Sequence, residues 1–132
     1  GLQDALKMSK FLKNENIAID HFVSSPAVRA LSTCKIFNQT YRLDFTTNEK
    51  LYNPSENNFH SVIYDLNDDV DSVAFFSHNN GISNFANYIT DHIFHFPTCG
   101  VAGFEVDCES WSQFDGAKKK LKFYYEPNKL KF

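Results

Sequence analysis

Two short segments of the chain share one design: Ser24-Ser25-Pro26-Ala27-Val28-Arg29-Ala30 and Ser77-His78-Asn79-Asn80-Gly81. Each follows a short apolar run, and each opens a stretch of helical periodicity. Free backbone N–H groups at a helix start attract anions. Arg29 adds a guanidinium, which matches two phosphate oxygens in a planar, two-pronged contact and stays charged at any working pH. His78 adds an imidazole that can donate to a phosphoryl oxygen and carries charge when protonated. If the two segments converge, the spot between them is built to hold a phosphoryl group. Plainer roles stand beside this one: an exposed helix arginine paired to an acid, a structural histidine, and a glycine at 81 that supplies an unusual backbone angle or starts a helix.

Other reactive residue types are less ordered. Asp91, His92 and His95 are closely spaced, but no cysteine lies at a metal-site interval and Phe94 and Phe96 interleave, so they read as a polar helix end. Lys118, Lys119, Lys120 and Lys122 read as edge-strand lysines that block unwanted pairing rather than as a nucleic-acid patch. Ser77 has no visible triad partner, and G-x-S-x-G is absent. Nothing in the sequence requires a metal or a cofactor.

Several elements must position these residues. Leu2 to Asn14 predicts a helix with Leu2, Ala5, Leu6 and Leu12 on its apolar side. Phe22 and Val23 predict a short buried strand. Pro26 suits the first turn of the next helix, capped by Ser24 or Ser25. Ala27, Ala30, Leu31, Cys34, Phe37 and Tyr41 run along that helix's apolar face. After a turn at 53–55, Phe59, Val62, Ile63 and Leu66 predict a third helix ending at Asn67. Val73 to Phe76 predicts a strand covered on both faces. Ile82, Phe85, Ala86 and Ile89 predict a fourth helix. Val101 to Val106 and Lys120 to Tyr125 predict two closing strands. Strand-then-helix alternation implies an α/β sheet with helices on both faces. In such folds ligands sit at the carboxyl ends of the strands, where both marked segments fall.

The 132 residues suit one domain. Apolar residues make up 42%, enough for a core, so a disordered chain is excluded. A net charge of −3 argues against broad nucleic-acid binding. No apolar run approaches the roughly 18 residues of a membrane span. Cys34, Cys99 and Cys108 are an odd count without CxxC spacing, which predicts reduced packing thiols and a cytoplasmic location. No signal-peptide pattern is visible, although the abrupt start leaves room for an upstream segment.

Taken together, S-S-P-A-V-R-A at 24–30 and S-H-N-N-G at 77–81 resemble the histidine phosphatase superfamily, whose fold is phosphoglycerate mutase-like. The resemblance is strongest to its small phosphohistidine phosphatases of the SixA type. Those often read S-S-P-A-x-R-A followed by a T-A-like pair, where this chain has Leu31-Ser32-Thr33-Cys34, and G-H-N-P-G, where it has Ser77-His78-Asn79-Asn80-Gly81. Leu51-Tyr52, Phe96-Pro97-Thr98-Cys99-Gly100 and Tyr125-Glu126-Pro127 extend the likeness over nearly the whole chain. It implies a three-layer sandwich with a mostly parallel central sheet, and a domain over 1–132.

In that family a histidine attacks the phosphoryl group, while two arginines and a second histidine clamp it. By position, Arg29 matches the second arginine and His78 the second histidine, with Asn79 shaping the same phosphate-binding loop. The nucleophile and first arginine come from an Arg-His motif at the end of the family's first strand, and the sequence has no such motif. Gly1-Leu2-Gln3-Asp4-Ala5 resembles the start of the helix that follows it. The expectation is a domain lacking its first strand, with Phe22–Val23 and Val73–Phe76 left short of backbone partners. Asn80 replaces a proline. Leu51-Tyr52 stands near where other members carry a general acid, with Glu49 and Glu56 close by. The implied function is hydrolysis of phosphohistidine on a protein, such as a phosphotransfer domain, through a phosphohistidine enzyme intermediate. The alternatives are a non-catalytic phosphate- or phosphoprotein-binding module of the same fold and a small-molecule phosphomonoesterase.

Overall fold

The computed structural model describes residues 2–131. Its main elements are α1 (Leu2–Asn14), β1 (His21–Ser24), α2 (Val28–Tyr41), β2 (Phe45–Thr47), α3 (Glu56–Tyr64), β3 (Val73–Phe76), α4 (Asn79–Ile89), β4 (Val101–Asp107) and β5 (Lys118–Tyr125). Short 3-10 turns follow β2, β4 and β5. No described helix is long and apolar enough to cross a membrane.

Side-chain alternation along the strands explains the layers. Phe22 of β1 and Ala74 and Phe76 of β3 face α1 and α2, where they meet Ala5, Met8, Leu12, Cys34, Phe37 and Tyr41. Val23, Val73 and Phe75 face the other way, toward Leu51, Phe59, Val62, Ile82 and Phe85 under α3 and α4. The result is a helix–sheet–helix sandwich, the expected α/β architecture. Phe22 stands in edge-to-face contact with Phe76 at 5.1 Å, and Phe76 with Phe37 at 5.3 Å. Burying one such side chain contributes about 1.5–3 kcal/mol.

The sheet itself differs from expectation. It is divided into a parallel sheet of order β2-β1-β3 and an antiparallel pair β4-β5. The three-residue β2 escaped the sequence reading, yet it supplies a partner to β1. Phe22 lies opposite Phe45 on one side and Ala74 on the other, so the expected shortage of partners at Phe22–Val23 does not occur. Among the described residues β3 pairs only with β1, and β4 only with β5. The Oγ of Ser110, just past β4, donates to Asp68, and Trp111 Nε1 donates to the Val70 carbonyl at 2.7 Å, just before β3. These bonds tie the segment after β4 to the segment before β3. One edge of each strand borders a cleft of about 1520 Å³, lined by residues 73–77 and 101–106.

Local chemistry refines the helix starts. Pro26 lies before α2 rather than in its first turn, because the N-cap is Ala27. Ser25 Oγ accepts from the Ala27 N–H at 3.1 Å, and Ala27 has no side-chain oxygen to cap the turn that follows. α3 opens on a reciprocal cap between Ser55 and Asn58 and stops at Tyr64, short of Leu66.

Gly103 shows how closely the hairpin packs. It lies opposite Phe123, beside an irregularity in the ladder, and a β-carbon at 103 would stand 2.1 Å from that ring. Gly103→Ala is expected to lower unfolding free energy by about 1–3 kcal/mol through overpacking. Urea unfolding of the two proteins checks this, and equal midpoints would contradict it.

Candidate functional site

The site begins with the β1–β3 ladder. Ser24 pairs opposite Phe76, and the Ser25 N–H donates to the Phe76 carbonyl at 2.7 Å. Both strands thus end at one edge, and each chain turns directly into a helix. In α2 the first intrahelical bond runs from the Leu31 N–H to the Ala27 carbonyl at 2.9 Å, and in α4 from the Ile82 N–H to the His78 carbonyl at 3.0 Å. The amides of 28–30 and 79–81 therefore have no partner within their helices. Arg29, on the first turn of α2, and His78, the N-cap of α4, line the same cleft as Asn79 and Asn80.

Arg29, His78 and Asn79 are exposed. No ion pair or side-chain hydrogen bond among the described residues engages the Arg29 guanidinium, so pairing with an acid does not account for it. The His78 side chain makes no cap bond. Its ring has one recorded contact, an edge-to-face approach of Tyr52 at 5.9 Å and 86°. Both side chains are therefore left available at the cleft.

The loop between β2 and α3 braces this edge. The Asn48 N–H donates to the Ser24 carbonyl at 2.9 Å, and Ser77 Oγ donates to the Leu51 carbonyl at 2.7 Å. Ser77 thus has a structural partner. Gly81 has no positive φ. A β-carbon there would stand 3.0 Å from the Pro54 ring, so glycine permits the close approach of Pro54 rather than an unusual backbone angle. Neither hydrogen-bonded brace was legible in the motifs, because they join residues 24 and 26 apart in the chain.

Burial pushes the Cys34 thiol up to about 11, so it stays protonated as a packing group near neutral pH. Burial raises Cys99 as well. Asp91, His92 and His95 are exposed beyond α4, and no group of three His, Cys, Asp or Glu among the described residues could hold a metal. Lys119 lies over the Phe114 ring at 4.5 Å, and Lys122 meets Glu105 at 3.5 Å, both of that pair lining the cleft. Glu49 and Glu56 do not line the cleft. Its carboxylates are Asp68, Asp71, Glu105 and Glu109, of which Asp68 and Asp71 precede β3 at the end away from His78.

The fold has counterparts of known structure. The chain matches a proposed phosphohistidine phosphatase SixA from Nakamurella multipartitia with a TM-score of 0.82 and 17% identity, covering 96% of this chain and 81% of that one. A second match, a proposed phosphohistidine phosphatase SixA from Agrobacterium tumefaciens, has a TM-score of 0.80 and 19% identity, covering 96% and 80%. A third, the protein histidine phosphatase SixA complexed with tungstate, has a TM-score of 0.84 and 19% identity, covering 99% and 83%. No family model and no curated protein sequence matches the chain. The fold is thus that of SixA-type, phosphoglycerate mutase-like proteins.

Among the described residues the Arg29 side chain has no hydrogen bond or ion pair and the His78 ring has only the exposed Tyr52 contact, so Arg29→Ala is expected to change unfolding free energy by no more than about 0.5 kcal/mol and His78→Ala by about 1 kcal/mol or less. Thermal and urea melts check this. A larger loss for either variant would assign that side chain a structural role.

Proposed function

We propose that the chain carries the phosphate-holding half of a phosphatase site that removes the phosphoryl group from a histidine on a protein. The observation behind this reading is that Arg29, His78 and two helix starts whose first amides have no partner within their helices line one cleft at the ends of β1 and β3. The guanidinium and imidazole would clamp the phosphoryl oxygens, with the amides of both helix starts adding to the field. Asn79 would shape the second of these starts.

The nucleophile in this reading belongs to a further strand seated between β3 and β4, whose unpaired edges face the cleft. The SixA-type likeness implies that such a strand ends in an Arg-His pair. A histidine nitrogen there would attack phosphorus as the P–N bond to the substrate imidazole breaks, and that imidazole would leave with a proton. Water would then attack the phosphoenzyme, releasing inorganic phosphate and restoring the histidine. A protonated imidazole is a good leaving group, whereas an ester alkoxide needs a positioned acid.

One observation keeps a second reading in view. His78 is the only histidine lining the cleft among the described residues. Without a supplied nucleophile the site would bind phosphate or a phosphoprotein with no turnover.

The direct test assays the full-length protein against a phosphohistidine protein and a simple phosphate ester side by side. Faster turnover of the phosphohistidine protein is expected, and Arg29→Ala should lower its kcat/KM by the equivalent of about 2–4 kcal/mol. Unchanged kcat/KM in that variant would remove Arg29 from the site. Phosphate binding without turnover of either substrate would favour the binding module.

A further inference from the structure

Tyr52 is 60% exposed, while its neighbour Leu51 is fully buried. An exposed aromatic ring that meets the candidate histidine edge-on is not explained by core packing. Its backbone is also unusually well held. The Tyr52 N–H donates to the Glu49 carbonyl at 3.0 Å, closing a 3-10 turn capped by Asn48. The Leu51 carbonyl accepts from Ser77 Oγ, one residue before His78. Lys50 Nζ meets Ser61 Oγ at 2.6 Å, tying the turn to α3. Asn53 then takes a left-handed φ of 54°, and Pro54 packs beneath Gly81 in the first turn of α4. The bracket over 48–54 is therefore fastened to the segments before and after His78, with Tyr52 projecting from its middle.

We propose that Tyr52 is a positioning residue for His78: its ring limits the imidazole rotamers and directs the ring nitrogens toward an oxyanion at the cleft. The proposal rests on the reading of the cleft as a phosphoryl site. The His78 side chain has no hydrogen bond among the described residues, so the aromatic contact is the restraint on its ring. Aromatic pairs prefer this T-shaped arrangement, and fixing a rotamer before binding lowers the entropy lost when the ligand arrives. The Tyr52 hydroxyl is not needed for this role, and the ring is.

The test compares Tyr52→Ala and Tyr52→Phe with the unmodified chain, using inorganic phosphate and vanadate as probes and NMR of the His78 ring protons as a second readout. Tyr52→Ala is expected to weaken oxyanion binding by about three- to tenfold, while Tyr52→Phe stays within about twofold. In a His78→Ala background the Tyr52→Ala loss should vanish, because the two act as one unit. The His78 ring resonances should move on loss of the Tyr52 ring current and stay near their position in Tyr52→Phe. Undiminished binding in Tyr52→Ala, or an equal loss with and without His78, would overturn the proposal. If the unmodified chain binds neither anion, the phosphoryl-site reading fails. The His78 resonances then decide the contact alone: unchanged shifts in Tyr52→Ala would refute it, and displaced shifts restored by Phe would uphold it.

Discussion

The parallel ladder between β1 and β3 sets the position of everything at the candidate site. With Phe22 opposite Ala74 and Ser24 opposite Phe76, both strands end level, and both helix starts open at one edge. A slip of one residue would turn Phe76 from the α1–α2 face toward α3 and α4, and would move His78 along the edge relative to Arg29. The register is enforced from both faces. Phe22 and Phe76 interlock with Phe37 and Tyr41 on one side, and Phe75 packs against Phe59 on the other. Exposed chemistry is thus held by apolar contacts several ångströms below it.

The division of the sheet gives the cleft its character. β3 and β4 both line it, each with one unpaired edge among the described residues. Unpaired edges present a row of N–H and C=O groups suited to another strand. The braces around residues 48–54 keep the far side of the site in place independently of that gap. Asn48 holds the end of β1, Leu51 holds Ser77, and Pro54 supports Gly81. Positioning therefore comes from three segments that are distant in sequence.

Much of this was legible in the residues themselves. α1 spans Leu2–Asn14 and β3 spans Val73–Phe76, the bounds their apolar patterns predict, although Leu2 at the helix start is exposed and Met8 joins Ala5 and Leu12 in the core. The alternation within Phe22–Val23 and within Val73–Phe76 distributes side chains to two faces, which local pattern can express. β2 escaped because three residues, two of them exposed threonines, carry too little periodicity. The place of Pro26 was misread because proline suits both the first helical turn and the residues just before the cap. Gly81 was legible as a special position, but its reason, the Pro54 ring, depends on tertiary packing. The Tyr52–His78 contact was likewise hidden, since Leu51-Tyr52 carried only a motif likeness and no geometry.

The central claim is that one oxyanion touches both the Arg29 guanidinium and the His78 imidazole. A tungstate or phosphate titration followed by side-chain NMR of both residues tests this most directly. The Arg29 Nε–H and His78 ring resonances should shift together and saturate at one dissociation constant. Saturation of one while the other stays still, or of the two at unrelated concentrations, would contradict the shared site.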